Sequence, residues 1–116
     1  MPAVFVYGTL KRGGENHRFL AGQRFLGEAR TEPAFRLYLL DGYPGMVAGA
    51  PGLSIAGEAW EVDAAALARL DELEGTAEGL YARVPVRLLA PHAGLAVETY
   101  LYLQGVAGRT DLGPRF

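Results

Sequence analysis

Apolar and polar positions along the chain fall into short blocks rather than long amphipathic runs. Residues 3–7 (Ala-Val-Phe-Val-Tyr) are apolar without a break, which predicts a buried strand. Gly8 ends that run, and 8–14 (Gly-Thr-Leu-Lys-Arg-Gly-Gly) reads as a loop. Residues 15–21 suit a short helix with Phe19 and Leu20 turned inward. Strands are predicted over 23–31 and 34–40, around Pro33. Asp41-Gly42-Tyr43-Pro44-Gly45 is a turn cluster, followed by a short strand at 46–49. A further strand covers 54–62, with Gly57 as a bulge. Two more follow at 81–89 and 97–104. In the latter, Val97, Thr99, Leu101 and Leu103 alternate with Glu98, Tyr100, Tyr102 and Gln104. The Gly-rich tail, 105–116, reads as irregular.

One segment has a helical period. Over 64–74, Leu67, Leu70 and Leu73 form an apolar stripe. Asp63 is a suitable N-cap, three alanines follow it, and Gly75 stands where a helix stop belongs. About six or seven mostly consecutive strands with one main helix point to an α+β chain. Its sheet is mixed or antiparallel and strongly bent, tending to a β-barrel, rather than doubly wound.

Composition narrows the function classes. The 116 residues suit a single domain over 1–116. Half are hydrophobic and 21% are charged, as in an ordinary globular chain. The net charge is −2, and the basic residues are scattered, so nothing suggests a nucleic-acid partner. No apolar stretch reaches the ~20 residues of a membrane helix. The N-terminus lacks the features of a signal peptide. With no cysteine, disulfides, zinc–thiolate sites and Cys nucleophiles are excluded, which fits a reducing, cytoplasmic setting.

Two features carry chemistry. Glu74 lies four residues after Leu70 and seven after Leu67, so the apolar stripe ends in a carboxylate. Partial burial and the negative end of the helix dipole both disfavour its charge and raise its pKa, which suits a general acid–base group. A frayed last turn with Glu74 in water is the other reading. Glu72 faces elsewhere, and Asp71 lies near the stripe edge. The other feature is Tyr7-Gly8-Thr9-Leu10. A glycine turn leaving a buried strand offers close backbone approach and N–H donors for a carboxylate or oxyanion. A plain hairpin turn is the alternative. Gly8 and Gly13 have the spacing of a phosphate loop, but Gly14-Glu15 replaces the required Lys-Ser/Thr pair.

Other candidates are weaker. Ser54, the only serine, misses the nucleophile-elbow pattern by one residue. His17 and His92 have no metal-ligand spacing, so no metal site is expected. Tyr43, Tyr81, Tyr100 and Tyr102 suit a core rim with wet hydroxyls, one or two of them free to bond a substrate. Arg83 and Arg87 share a strand face, for an anionic ligand or for surface acids.

Val4-Phe5-Val6-Tyr7-Gly8-Thr9-Leu10-Lys11-Arg12-Gly13, with Asn16-His17, resembles the first strand and loop of the γ-glutamyl cyclotransferase-like family. Leu70-Asp71-Glu72-Leu73-Glu74-Gly75, followed by Tyr81 and Arg83, resembles that family's second signature. The two stand in order at the family's spacing, and the short branch that includes γ-glutamylamine cyclotransferases is the most similar in appearance. The resemblance implies a small mixed barrel flanked by helices. It also implies a reaction in which the α-amine of a γ-glutamyl group attacks its own γ-carbonyl, releasing 5-oxoproline and a free amine. Glu74 would be the acid–base residue. Tyr7, Gly8, Thr9, Leu10, Tyr43 and Tyr81 would bind a small-molecule substrate, and no cofactor would be needed. The alternative is a non-catalytic member that binds a carboxylate or amino-acid-like ligand.

Overall fold

The opening apolar run becomes the strand around which the others are arranged. In the computed structural model, which describes residues 1–116, β1 (Ala3–Val6) is buried along its whole length. Ala3, Phe5 and Tyr7 point into one apolar core; Val4 and Val6 point into another. A strand covered on both faces has no polar positions to alternate, and the uninterrupted hydrophobic run reflects this.

The remaining strands are β2 (Arg24–Arg30), β3 (Phe35–Leu39), β4 (Pro44–Ala48), β5 (Ala56–Glu61), β6 (Tyr81–Val86), β7 (Val97–Tyr102) and β8 (Thr110–Asp111). They form one sheet in the order β2-β5-β1-β7-β4-β3-β8, with β6 also on β7. Pairings are antiparallel except β1–β7, at Val4 opposite Glu98, and β4–β7, at Met46 opposite Leu101. Thus β1 and β4 meet β7 at successive positions, while β6 pairs along it from Tyr81 to Val86. The sheet curls strongly into a half-barrel. At one corner the curl brings the end of β2 to the chain beyond β6, where Leu89 N–H donates to Arg30 O (2.8 Å) and Glu32 N–H to Arg87 O (2.9 Å).

The α+β class and strongly bent mixed sheet agree with the expectation from sequence, while several details differ. There are eight strands, because Thr110–Asp111 in the tail pairs with β3. The bulge lies in β2, between Phe25 and Gly27, not at Gly57 of the facing strand. The turn cluster is shorter than predicted, since Pro44 already opens β4, a position that needs no ladder donor from it. The predicted helix at 15–21 is one 3₁₀ turn, His17–Leu20, with Leu20 buried and Phe19 partly so.

The helix α1 spans Ala64–Leu73. The Asp63 carboxylate accepts from Ala66 N–H (2.7 Å), as its cap position requires. Its buried stripe is Ala66 and Leu70 with Leu67 partly covered; Leu73 is 36% exposed. The stripe therefore runs 66-70-74 and tilts away from Leu73. The helix stops at Gly75, φ +66°, where Thr76 N–H donates to Asp71 O and Gly75 N–H to Glu72 O, both 3.1 Å. This paired stop needs a left-handed residue, and glycine adopts it without strain. Leu70 is fully buried between the helix and the sheet. Leu70→Ala is expected to lower unfolding stability by about 2–5 kcal/mol, read from the urea midpoint. A loss below about 0.5 kcal/mol would contradict this packing.

Candidate active site

A cavity of about 450 Å³ opens at the C-terminal end of β1. Tyr7 to Leu10, Tyr43, Glu74 and Tyr81 all line it. The last turn of α1 supplies Glu74, and the loop after β1 lies in the same concavity. Segments far apart along the chain thereby share one space.

The loop is held from beneath. Glu58 on β5 accepts from Arg12 N–H and from the Arg12 guanidinium (both 3.0 Å) and from the Trp60 indole (3.1 Å). Burial by itself would push the Glu58 carboxyl up; these donors outweigh it and hold it below its usual range. On the cavity side, Asn16 N–H donates to Thr9 O (2.9 Å) and its amide to Thr9 Oγ1 (3.0 Å). The N–H groups of Gly8, Thr9 and Leu10 donate to no other group of the protein. Three consecutive free donors beside a cavity suit a carboxylate or an oxyanion. A side chain at residue 8 would run into the Pro44 ring, 2.6 Å from an added Cβ, so glycine is required where loop and turn cross.

Glu74 is partly buried, and burial raises its pKa from 4.5 to about 7. Burial, expected from the sequence, is the cause of that rise. No ion pair or side-chain hydrogen bond holds the carboxylate. A weakly solvated, unpaired carboxyl that titrates near neutrality can exchange protons with a ligand in the cavity.

Tyr81 and Tyr100 differ from the expected wet rim, while Tyr7 is buried as its strand predicts. Tyr7, Tyr81 and Tyr100 line the cavity, yet their hydroxyls are committed elsewhere. Tyr7 Oη donates to Tyr100 O (2.6 Å) and accepts from Met46 N–H (3.1 Å). Tyr81 Oη donates to Pro44 O (2.8 Å), and Tyr100 Oη to Asp71 Oδ1 (2.7 Å). Burial pushes all three phenols up. These hydroxyls are inside and bonded, not wet, because the curled sheet closes over them. Tyr43 is the cavity tyrosine whose hydroxyl bonds no protein group. Tyr102 packs edge-on against Tyr81 outside the cavity lining.

Other candidates fall away from the cavity. Arg83 pairs with Asp71 (2.8 Å) and Glu98 (3.4 Å), while Arg87 is exposed. His17 packs on Trp60 with Nδ1 2.9 Å from Leu10 O, behind the loop. No three His, Asp or Glu side chains converge as a metal site would need. No helix is long and apolar enough to cross a membrane. Asn16 also borders the cavity, although the sequence does not single it out as a binding residue. Asn16 has a sequence signal in its place beside the loop motif.

The family model described as "Gamma-glutamyl cyclotransferase, AIG2-like" matches residues 4–114. A protein of Vibrio cholerae named "Putative gamma-glutamylcyclotransferase" is 48% identical over 71 residues, covering 61% of this chain and 60% of that one. The gamma-L-glutamyl-butirosin B gamma-glutamyl cyclotransferase of Niallia circulans is 31% identical over 107 residues, covering 88% and 67%. Among solved structures, an AIG2-like protein of Mus musculus superimposes with a TM-score of 0.74 at 29% identity, covering 90% of this chain and 78% of that one.

The raised pKa of Glu74 has a consequence for stability. Between pH 4.5 and about 7 the folded chain holds a proton at Glu74 that the unfolded chain has released. This contribution therefore falls as pH rises through that window, by about 3 kcal/mol. Glu74→Gln, which cannot ionise, is expected to flatten that part of the profile and to be the more stable protein at pH 8. Urea midpoints from pH 4 to 8 test this, and parallel profiles for the two proteins would refute it.

Proposed function

The chain belongs to the gamma-glutamyl cyclotransferase, AIG2-like family, and from that premise we propose that it cyclises a γ-glutamyl group. The substrate is a γ-glutamyl amine or peptide, and the products are 5-oxoproline and the free amine. The unit that acts is one γ-glutamyl cyclotransferase-like domain over residues 1–116. The observation that carries the reading is a near-neutral carboxyl, Glu74, in the same cavity as three free backbone donors.

In this reading Glu74 is the catalytic residue. As a carboxylate it takes a proton from the substrate's α-ammonium. The freed amine nitrogen attacks the γ-carbonyl carbon, forming the new C–N bond of a five-membered ring. The carbonyl oxygen becomes an oxyanion, which the N–H groups of Gly8, Thr9 and Leu10 are placed to stabilise. Glu74 then gives its proton to the leaving nitrogen as the old C–N bond breaks, and the second proton of the attacking nitrogen passes by the same carboxylate to the released amine, leaving the neutral lactam and an alkylammonium. Nucleophile and electrophile belong to one molecule, so holding the folded-back rotamer supplies much of the rate. A carboxyl titrating at about 7 is matched to both proton transfers. The rings of Tyr7 and Tyr81 shape the cavity walls, and the hydroxyl of Tyr43, which bonds no protein group, is available to the leaving amine.

The named activity of the Niallia circulans relative, on a γ-glutamyl-butirosin, is of this reaction type. The reading is tested by measuring 5-oxoproline from a panel of γ-glutamyl amines and dipeptides. Glu74→Gln is expected to lower kcat about 10²–10⁴-fold with little change in KM. The wild-type kcat/KM is expected to rise with pH and level off above an apparent pKa of about 7. Equal turnover by the two proteins would remove Glu74 from the chemistry. Absence of turnover across the panel, with saturable binding of glutamate-like ligands, would favour a non-catalytic binding protein.

A further inference from the structure

The two halves of the cavity belong to different elements, and one residue touches both. Tyr100 lies in β7 and is 3% exposed. Its carbonyl accepts from Tyr7 Oη at 2.6 Å, tying it to the residue that opens the donor loop. Its own hydroxyl donates to Asp71 Oδ1 at 2.7 Å, tying it to the helix turn that carries Glu74. Asp71 is well placed to pass that hold on. Its carbonyl accepts from Thr76 N–H in the helix stop, and its other carboxylate oxygen meets Arg83 at 2.8 Å. Arg83 is fixed in turn by Glu98, 3.4 Å away on β7. Asp71 and Arg83 are each only 29% exposed, so this ion pair is shielded rather than free in solvent.

We infer that Tyr100 is a positioning residue that sets the distance between the donor loop and Glu74, one side through its carbonyl to Tyr7, the other through its hydroxyl to Asp71. Neither contact is made to the substrate. Glu74 itself has no ion pair or side-chain hydrogen bond to hold it, so the direction of its carboxyl depends on the turn that bears it. With the Tyr100–Asp71 bond in place, that turn is anchored to the sheet three residues before Glu74. Without it, the turn is held by the backbone stop, by Leu70 and by the Asp71–Arg83 pair alone, and water gains access to the carboxyl. The purpose of the spacing rests on the cyclotransferase reading; the spacing itself does not.

The test separates the two. Tyr100→Phe removes the hydroxyl and keeps both the ring and the carbonyl that Tyr7 uses. Asp71→Asn weakens the same link from the other side and also removes the charge that Arg83 meets, so Tyr100→Phe is the decisive variant. The titratable side chains that face Glu74 in the cavity are Tyr7, Glu15, Asp41, Tyr43, Tyr81 and Tyr100. The carboxylates among them, Glu15 and Asp41, are exposed and unchanged by either variant. In a ¹³C NMR titration of the Glu74 carboxyl, both variants are expected to lower its apparent pKa by about one unit as it becomes better hydrated. With substrate, kcat is expected to fall about 10–100-fold while KM stays within about twofold. The double variant is expected to lose far less than the product of the two single losses, since they share the Tyr100–Asp71 link. General destabilisation would lower the melting temperature without moving the Glu74 titration of the folded protein. An unmoved titration in Tyr100→Phe overturns the inference, as do kcat losses that multiply in the double variant. A shifted titration in a protein that makes no 5-oxoproline leaves the positioning role intact and removes the reaction.

Discussion

The hydroxyl of Tyr7 sits where one strand of the sheet hands over to another. Strand β7 takes β1 as a parallel neighbour at Glu98 and β4 at Leu101, and between those points neither neighbour is in register. Tyr7 Oη fills the gap, donating to Tyr100 O and accepting from Met46 N–H. Both backbone groups are buried, and leaving either without a partner would cost about 1–3 kcal/mol. One phenol therefore allows β1 to diverge from β4, and that divergence is what opens a cavity at the end of β1. The loop, the Asp41–Pro44 turn and the helix end all face the space so created.

The acid in that space owes its character to what does not touch it. The nearby Asp71 is met by Arg83 and Tyr100, and Glu58 on the far side of the loop by Arg12 and Trp60. Glu74 has no such donors, so burial acts on it unopposed and its proton affinity rises. Of these three carboxylates, two are paired and serve the structure, and Glu74 is not. The same helix turn carries both kinds, three residues apart, which is why its angle to the sheet matters to the site.

Much of this is legible in local pattern. The uninterrupted run of Ala3 to Tyr7 marks a buried strand, and Asp63, Leu70 and Gly75 bound the helix correctly. The loop motif and Glu74 are both recognisable in the sequence, and the fold places them in one cavity. Where fold and local pattern part, the causes are physical. Leu73 has the spacing of the stripe, but helix α1 docks on its 66-70-74 line, and only the docking angle decides which of two adjacent lines is covered. Gly57 has the character of a bulge, yet a bulge belongs to a strand pair, and β2 supplies the extra residue. The strand at Thr110–Asp111 is invisible because two residues carry no periodicity. Tyr81 and Tyr100 have the pattern of rim residues because hydroxyls usually seek water; a curled sheet offers them a carbonyl and a carboxylate instead.

By itself, the sequence determined the elements whose causes are local: apolar runs, a capped helix, glycines where the backbone must turn, and a carboxylate in phase with a buried stripe. It also carried the paired motifs through which the family is recognised. The tertiary structure alone decided which donors remain free, which hydroxyls are already used and which carboxylates are paired. Those outcomes depend on contacts such as Tyr7 with Tyr100 and Glu58 with Arg12, separated by 93 and 46 positions. A hydrogen bond is available to a ligand only if nothing else in the folded chain has taken it, and that is decided only once every distant segment has found its place.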